Sequence, residues 1–223
     1  MLTEGEGAEP LYRELATRWE ATLAHQEEIA VALLARYAEP HRHYHTASHL
    51  ARVLRMIDEF AEGQDLFLVR LAAWFHDAVY AIPPGQIPNE EASARMAVRE
   101  LSRAGLEQED LTQVARLVRL TATHTPGSRD PEGELLCDAD LSILAASPDE
   151  YAAYAMAIRD EYAAVPEETF LTGRLDILSR LSEGEIFRTS KGRTLTEAAR
   201  ANVAAECAAL QNRLDKLVQG STA

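Results

Sequence analysis

Leu71-Ala72-Ala73-Trp74-Phe75-His76-Asp77-Ala78-Val79-Tyr80 is the stretch on which the reading of this chain turns. Leu66 to Val69 extends it upstream, so apolar side chains fall at nearly every angle around a helix. A helix that is hydrophobic all round belongs at the centre of a domain. Near its end an imidazole beside a carboxylate interrupts the pattern. An unpaired charged carboxylate is costly in such surroundings, so Asp77 is expected to be paired, hydrogen-bonded or bound to a cation. Taken alone, a His-Asp dipeptide is explained by a buried ion pair or a capping interaction. The rest of the sequence has to decide.

Outward from this centre the pattern is helical. Strictly alternating β-branched runs are missing, while Ala, Leu, Glu and Arg dominate. A first segment, roughly Pro10 to Tyr37, places Leu11, Leu15, Trp19, Leu23, Ile29, Leu33 and Leu34 at apolar positions, with His25 as an exposed helical residue. Thr46 or Ser48 can cap a second helix that runs to about Glu62 and stops at Gly63. The central helix then spans Asp65 or Leu66 to about Tyr80. Asn89 caps a helix to about Ala104, stopped by Gly105, and another runs from about Gln108 to His124. Leu135 opens a short helix containing Asp138 and Asp140. Pro148 to Ala163, Glu167 to Ser182 and Leu195 to Val218 complete the series. Connections this short predict one all-α bundle over residues 1–223, with a core at about 42–144 and the helices of 148–218 packed on it.

With 47% hydrophobic residues, the 223-residue chain can bury a good-sized core. Its net charge of -14 argues against duplex nucleic acid or an anionic membrane surface as partner. It leaves room for a small anionic substrate, because a bound cation inverts the local field. Cys137 and Cys207 form no metal-type pair, and a reduced, cytoplasmic compartment is the simplest reading. Glu4, Glu6 and Glu9 stand where a signal peptide would be basic, and no apolar run approaches bilayer length.

Four of the seven histidines, His41, His43, His45 and His49, lie within nine residues. If the second helix begins near His45, then His45 and His49 share a face. A zinc protease of the H-E-x-x-H type fails here, since Thr46 occupies the place of the required Glu. In order, His49, His76-Asp77 and Asp140 lie on three separate predicted helices, each among apolar neighbours. Two imidazoles and two carboxylates converging in a bundle core would hold one divalent cation. On a six-coordinate ion, four protein ligands leave two positions open.

The sequence resembles the HD superfamily of metal-dependent phosphohydrolases. The likeness runs through Tyr44-His45-Thr46-Ala47-Ser48-His49, Ala73-Trp74-Phe75-His76-Asp77, Asn89-Glu90-Glu91-Ala92-Ser93-Ala94 and Asp138-Ala139-Asp140-Leu141, and its wording is most similar to a compact bacterial branch. The resemblance implies His49, His76, Asp77 and Asp140 as metal ligands, with Asp77 also in the catalytic set. Tyr-His-x-x-x-His is similar to the cyclic-nucleotide phosphodiesterase branch, which implies His45 as the general acid. Ala78-Val79-Tyr80 replaces the Glu-Asp with which guanosine-tetraphosphate hydrolases continue, so alarmone hydrolysis is not implied. Binuclear members place another His where Asn89 or Glu90 stands, so one ion (Mn, Mg, Fe, Co, Ni or Zn) is expected and a second is left open. The implied reaction is hydrolysis of a phosphomonoester or phosphodiester, with nucleotides among the candidates. A metal- and nucleotide-binding sensor without turnover, or a metal-dependent oxygenase, are the rival readings.

Further residues carry two readings each. Asp138 and Asp140 point to different sides of a helix, so Asp138 is a helix cap or an acceptor behind the ligands. His124 either caps its helix or meets substrate or a second metal. Arg42, Lys191 and Arg193 sit on predicted loops where they meet phosphate or are ordinary solvated surface. Glu90 and Glu91 stabilise a helix start or support the ligands. The last helix packs on the bundle or on a second chain as a homodimer.

Overall fold

Between its prolines and glycines the chain is helical in the computed structural model, which describes residues 8–221; Glu4 and Glu6 lie outside them. No strand occurs among the described residues, and the fold is all-α. No described helix is long and apolar enough to cross a membrane. The residues fall into two units, one ending at Asp140 and one beginning at Leu141.

The first unit holds α1 (Ala8–Thr22), α2 (Glu27–Tyr37), α3 (Ala47–Phe60), α4 (Phe67–Phe75), α5 (Asn89–Arg103), α6 (Gln108–Leu120) and most of α7 (Pro131–Leu141). α4 is its axis. Leu71, Ala72, Ala73, Trp74 and Phe75 are each 0% exposed, and α1, α3, α5 and α6 all pack against this helix. Full burial of one such large apolar side chain contributes about 1.5–3 kcal/mol. Trp19 of α1 meets Trp74 edge to face, with ring centroids 5.1 Å apart. Outside this core an ionic lattice ties three helices together. Glu14 of α1 binds Arg18 and Arg55, while Asp58 of α3 binds Arg18 and Arg70.

Several expected bounds move. The first segment breaks into α1 and α2, and His25 is not helical: it takes φ 62° in the connection. Trp19 Nε1 donates to Gln26 O at 2.9 Å, which ties that connection to the core. α7 begins at Pro131 rather than at Leu135. Asp130 caps it, its carboxylate accepting from the Gly133 N–H at 3.0 Å, and proline suits the first helical position. A side chain at Gly133 would collide with that carboxylate, since a Cβ there would lie 2.2 Å from it. α6 stops at Leu120, short of His124.

The second unit comprises a 3-10 turn (Ser142–Ala145), α8 (Pro148–Glu161), α9 (Glu167–Glu183), the short α10 (Ser190–Arg193) and α11 (Thr196–Ser221). Ser147 and Glu150 cap α8 reciprocally. Arg174 of α9, almost wholly buried, binds both carboxylate oxygens of Glu206 on α11, at 2.9 and 3.1 Å, and the Tyr154 hydroxyl on α8. Asn202 donates to the carbonyls of Leu144 and Ala146, which closes the 3-10 turn onto α11. Lys191 and Arg193 lie in α10 rather than on a loop, and Arg193 faces Glu185 at 3.6 Å.

Candidate metal centre

A helix end leaves carbonyls without intrahelical partners. α4 was expected to reach Tyr80, but it ends at Phe75 because side chains from elsewhere capture those carbonyls. His76 Nδ1 donates to Ala73 O at 2.7 Å, and the Tyr37 hydroxyl donates to Trp74 O at 3.2 Å. Arg42 donates to Asp77 O at 2.7 Å and Ala78 O at 3.4 Å. Ser93 accepts from the Val79 N–H at 3.0 Å, and the Asn89 amide takes both backbone groups of Ala81. His76 and Asp77 therefore stand on a turn whose backbone is fixed on several sides. Asn89, expected as a helix cap, is instead the first residue of α5, and its side chain holds this turn.

Two more segments converge on that turn. His49 lies in the first turn of α3 and is 4% exposed; Asp140 lies at the end of α7. His49 Nε2 is 3.1 Å from His76 Nε2, 3.2 Å from Asp140 Oδ1 and 3.4 Å from Asp77 Oδ2. His76 Nε2 is 2.9 Å from Asp77 Oδ2 and 3.6 Å from Asp140 Oδ1. Ligands about 2.1 Å from one shared ion stand about 3.0–3.4 Å apart in octahedral or tetrahedral sites. The ligand atoms of His49, His76 and Asp77 lie within 4.8 Å of one another, close enough to share one ion, and Asp140 adjoins the two imidazoles. In neutral His76, the hydrogen bond from Nδ1 leaves a lone pair on Nε2, facing the cluster. The set fits a divalent cation.

Electrostatics keep the carboxylates in the form a cation needs, whereas the imidazoles have to release protons when an ion binds. Burial works against the protonated form of His76, yet the charges of Asp77, Tyr37 and Asp140 and the hydrogen bond to Asp140 together outweigh it and lift the pKa well above the ordinary histidine value. Burial likewise opposes protonation of His49, but hydrogen bonds to Asp140 and Asp77 raise it. Burial would favour neutral Asp77 and Asp140; the charge of His76, joined by His45 and His49 at Asp77 and by His124 and His49 at Asp140, holds both well below the carboxylate range. Both acids are kept as anions, the form a cation requires. His49 departs from the usual pattern of ligand histidines. Its buried Nδ1 has no hydrogen-bond partner among the described residues, and the ring is held by the Tyr44 ring at 4.8 Å.

The remaining candidates separate. His45 was expected to share a helical face with His49; it precedes α3 instead, in the turn before Thr46. Its half-buried ring still lies 5.6 Å from that of His49 and stacks on Tyr80 at 4.0 Å. The His124 backbone N–H donates to Leu120 O at 2.9 Å and so helps to close the end of α6, while its ring reaches the cluster. With φ 50°, His124 donates from Nε2 to Asp140 Oδ2 at 2.8 Å, on the oxygen that does not face His49. Asp138 is wholly buried in the last turn of α7, so it does not cap the helix start. Glu91 pairs with Arg119 and Arg95 on the surface, and Glu90 makes no hydrogen bond or ion pair among the described residues. Arg42 is no solvated loop residue, for its side chain is 0% exposed.

Tyr37, Tyr80 and Ser93 were missed as site residues. Ser93 carried a signal: a small polar residue at a buried helical position, inside the segment whose glutamates drew attention instead. Tyr37 and Tyr80 carried none beyond aromatic character.

Residues 46–143 match the family model described as HD domain, and this span includes His49, His76, Asp77, His124 and Asp140. No curated protein and no solved structure matches the chain.

Proposed function

Because the chain belongs to the HD superfamily through residues 46–143, we propose that it is a metal-dependent phosphohydrolase that cleaves a phosphomonoester or phosphodiester with water. The observation that carries the reading is the cluster of His49, His76 and Asp77, at separations of 2.9–3.4 Å, with Asp140 Oδ1 at 3.2 and 3.6 Å from the two imidazoles. These residues would hold one divalent ion, and mixed imidazole and carboxylate donors admit Mn, Mg, Fe, Co, Ni or Zn. When bound, the ion supplies Lewis acidity toward a phosphoryl oxygen and lowers the pKa of water in the site.

The other roles belong to the chain. Asp77 and Asp140, held ionised, offset the charge of the ion. His124 fixes the carboxylate of Asp140 from behind. His45, stacked on Tyr80 with its ring 5.6 Å from that of His49, would give a proton to the departing alkoxide. With a net charge of -14, the surface does not attract phosphate in general, so a small substrate met by the ion itself is the expected class. Nucleotides are the first compounds to try.

The test is a screen of phosphomonoesters, cyclic nucleotides and nucleoside triphosphates with each of the six metals. Turnover is expected with at least one metal and should vanish in His76→Ala. Equal turnover in parent and variant at matched purity would refute the reading. Metal binding without turnover on any ester would favour the sensor.

A further inference from the structure

Arg42 spends its whole guanidinium on protein. Nε donates to Glu39 at 3.1 Å, and Nη1 donates to His45 O at 3.1 Å and Asp77 O at 2.7 Å. Nη2 reaches Ala78 O at 3.4 Å and Glu39 at 3.1 Å. Five N–H groups thus meet five acceptor contacts, and no donor is left for a phosphate. The rings of Tyr37 and Tyr80 flank the group, with centroids 5.3 and 5.7 Å from Cζ.

Burying a guanidinium is costly unless it is fully paired. The pairing here has a particular address: the carbonyl of the candidate acid, His45, and the carbonyl of a candidate ligand, Asp77. These residues lie in two segments, one before α3 and one after α4; Arg42 belongs to the first, three residues before His45, and reaches across to the second. We propose that Arg42 is a positioning residue of the metal centre, a clamp that holds the His45 turn and the His76-Asp77 turn at the separation the ion requires. It touches neither ion nor substrate. Lysine cannot replace it, because a point charge on a flexible stem cannot span three carbonyls held in a planar fork.

The inference rests on the metal-centre reading, and one titration separates the two. Mn²⁺ binding is followed by electron paramagnetic resonance for the parent, Arg42→Lys and Glu39→Gln, with helix content checked by circular dichroism. The parent should bind one ion. Arg42→Lys should keep parental helix content and bind Mn²⁺ about 10–100-fold more weakly, the usual cost of losing a group behind the ligands. Its kcat at saturating metal should fall with little change in KM. Unchanged Mn²⁺ affinity, or a raised KM alone, would overturn the clamp while leaving the metal centre standing. If the parent itself binds no metal, both fall. Should Arg42→Lys fail to fold, Glu39→Gln decides: several-fold weaker binding supports the clamp, and parental affinity overturns it.

Discussion

A histidine in the left-handed region is uncommon, and His124 occupies it at φ 50° while holding Asp140. Asparagine tolerates this backbone, so His124→Asn removes the imidazole with little strain. The expected result is metal affinity lowered about 10–100-fold, as for other groups behind a ligand. Isothermal titration with the metal that supports turnover measures it, and unchanged affinity would mean that Asp140 needs no such support. His45→Asn should behave in the opposite way. Metal binding stays at the parental level, and kcat falls about 10²–10⁴-fold, the usual contribution of a positioned acid. Stopped assays on the best ester would show it, and a variant with parental kcat would remove His45 from the chemistry. Of this residue-scale picture, the candidate ligands were legible because each is a charged or imidazole group set among apolar neighbours. Arg42 was not. Nothing adjacent in sequence shows that a loop arginine will be buried by tyrosines and carbonyls from distant segments.

Helices whose ends are made locally were legible as well. Gly105 takes φ 88° just beyond α5, where the residue type alone announces the stop, whereas α3 ends at Phe60, three residues before Gly63. α4 is the contrary case: no breaker lies between Leu71 and Tyr80, and its end at Phe75 is imposed by Tyr37, Arg42 and Ser93. The start of α7 was announced by Asp130-Pro131 and obscured by the polar residues around them. Between elements, the ionic lattice of α1, α3 and α4 has a pH signature. Arg55, and after it Arg18, holds Glu14 down from 4.5 to about 2 despite partial burial. A depressed acid contributes stability above its unfolded pKa and loses it as pH falls through the folded value. The lattice should therefore hold at pH 5 and fail between pH 4.5 and about 2. Glu14→Gln should cost about 0.2–1 kcal/mol for each partly exposed pair at neutral pH and flatten the acid limb. Urea unfolding at pH 6 and pH 3 measures both, and identical acid limbs would show that Glu14 carries none of it.

At the scale of the whole molecule, the boundary between Asp140 and Leu141 had no mark in composition, because it falls at the end of a helix and not in a linker. All four candidate ligands precede it. So do both tryptophans, Trp19 and Trp74, which meet in the core of the same unit. Tryptophan fluorescence is thus a reporter of the unit that would hold the ion. An ion that binds the folded form alone stabilises it by RT ln(1 + [L]/Kd), about 2.7 kcal/mol at one hundred times Kd. For a unit of this size that is a rise of about 5–15 °C in the fluorescence midpoint. The rise should grow with the logarithm of metal concentration and shrink in acid, where protons compete for the same donors. Asp140→Asn, which keeps the side chain's shape and removes its charge, should flatten the dependence on metal. Thermal scans at several metal concentrations decide the matter. A midpoint indifferent to metal in the parent, or an Asp140→Asn variant that responds as the parent does, would mean that the four side chains meet without holding an ion.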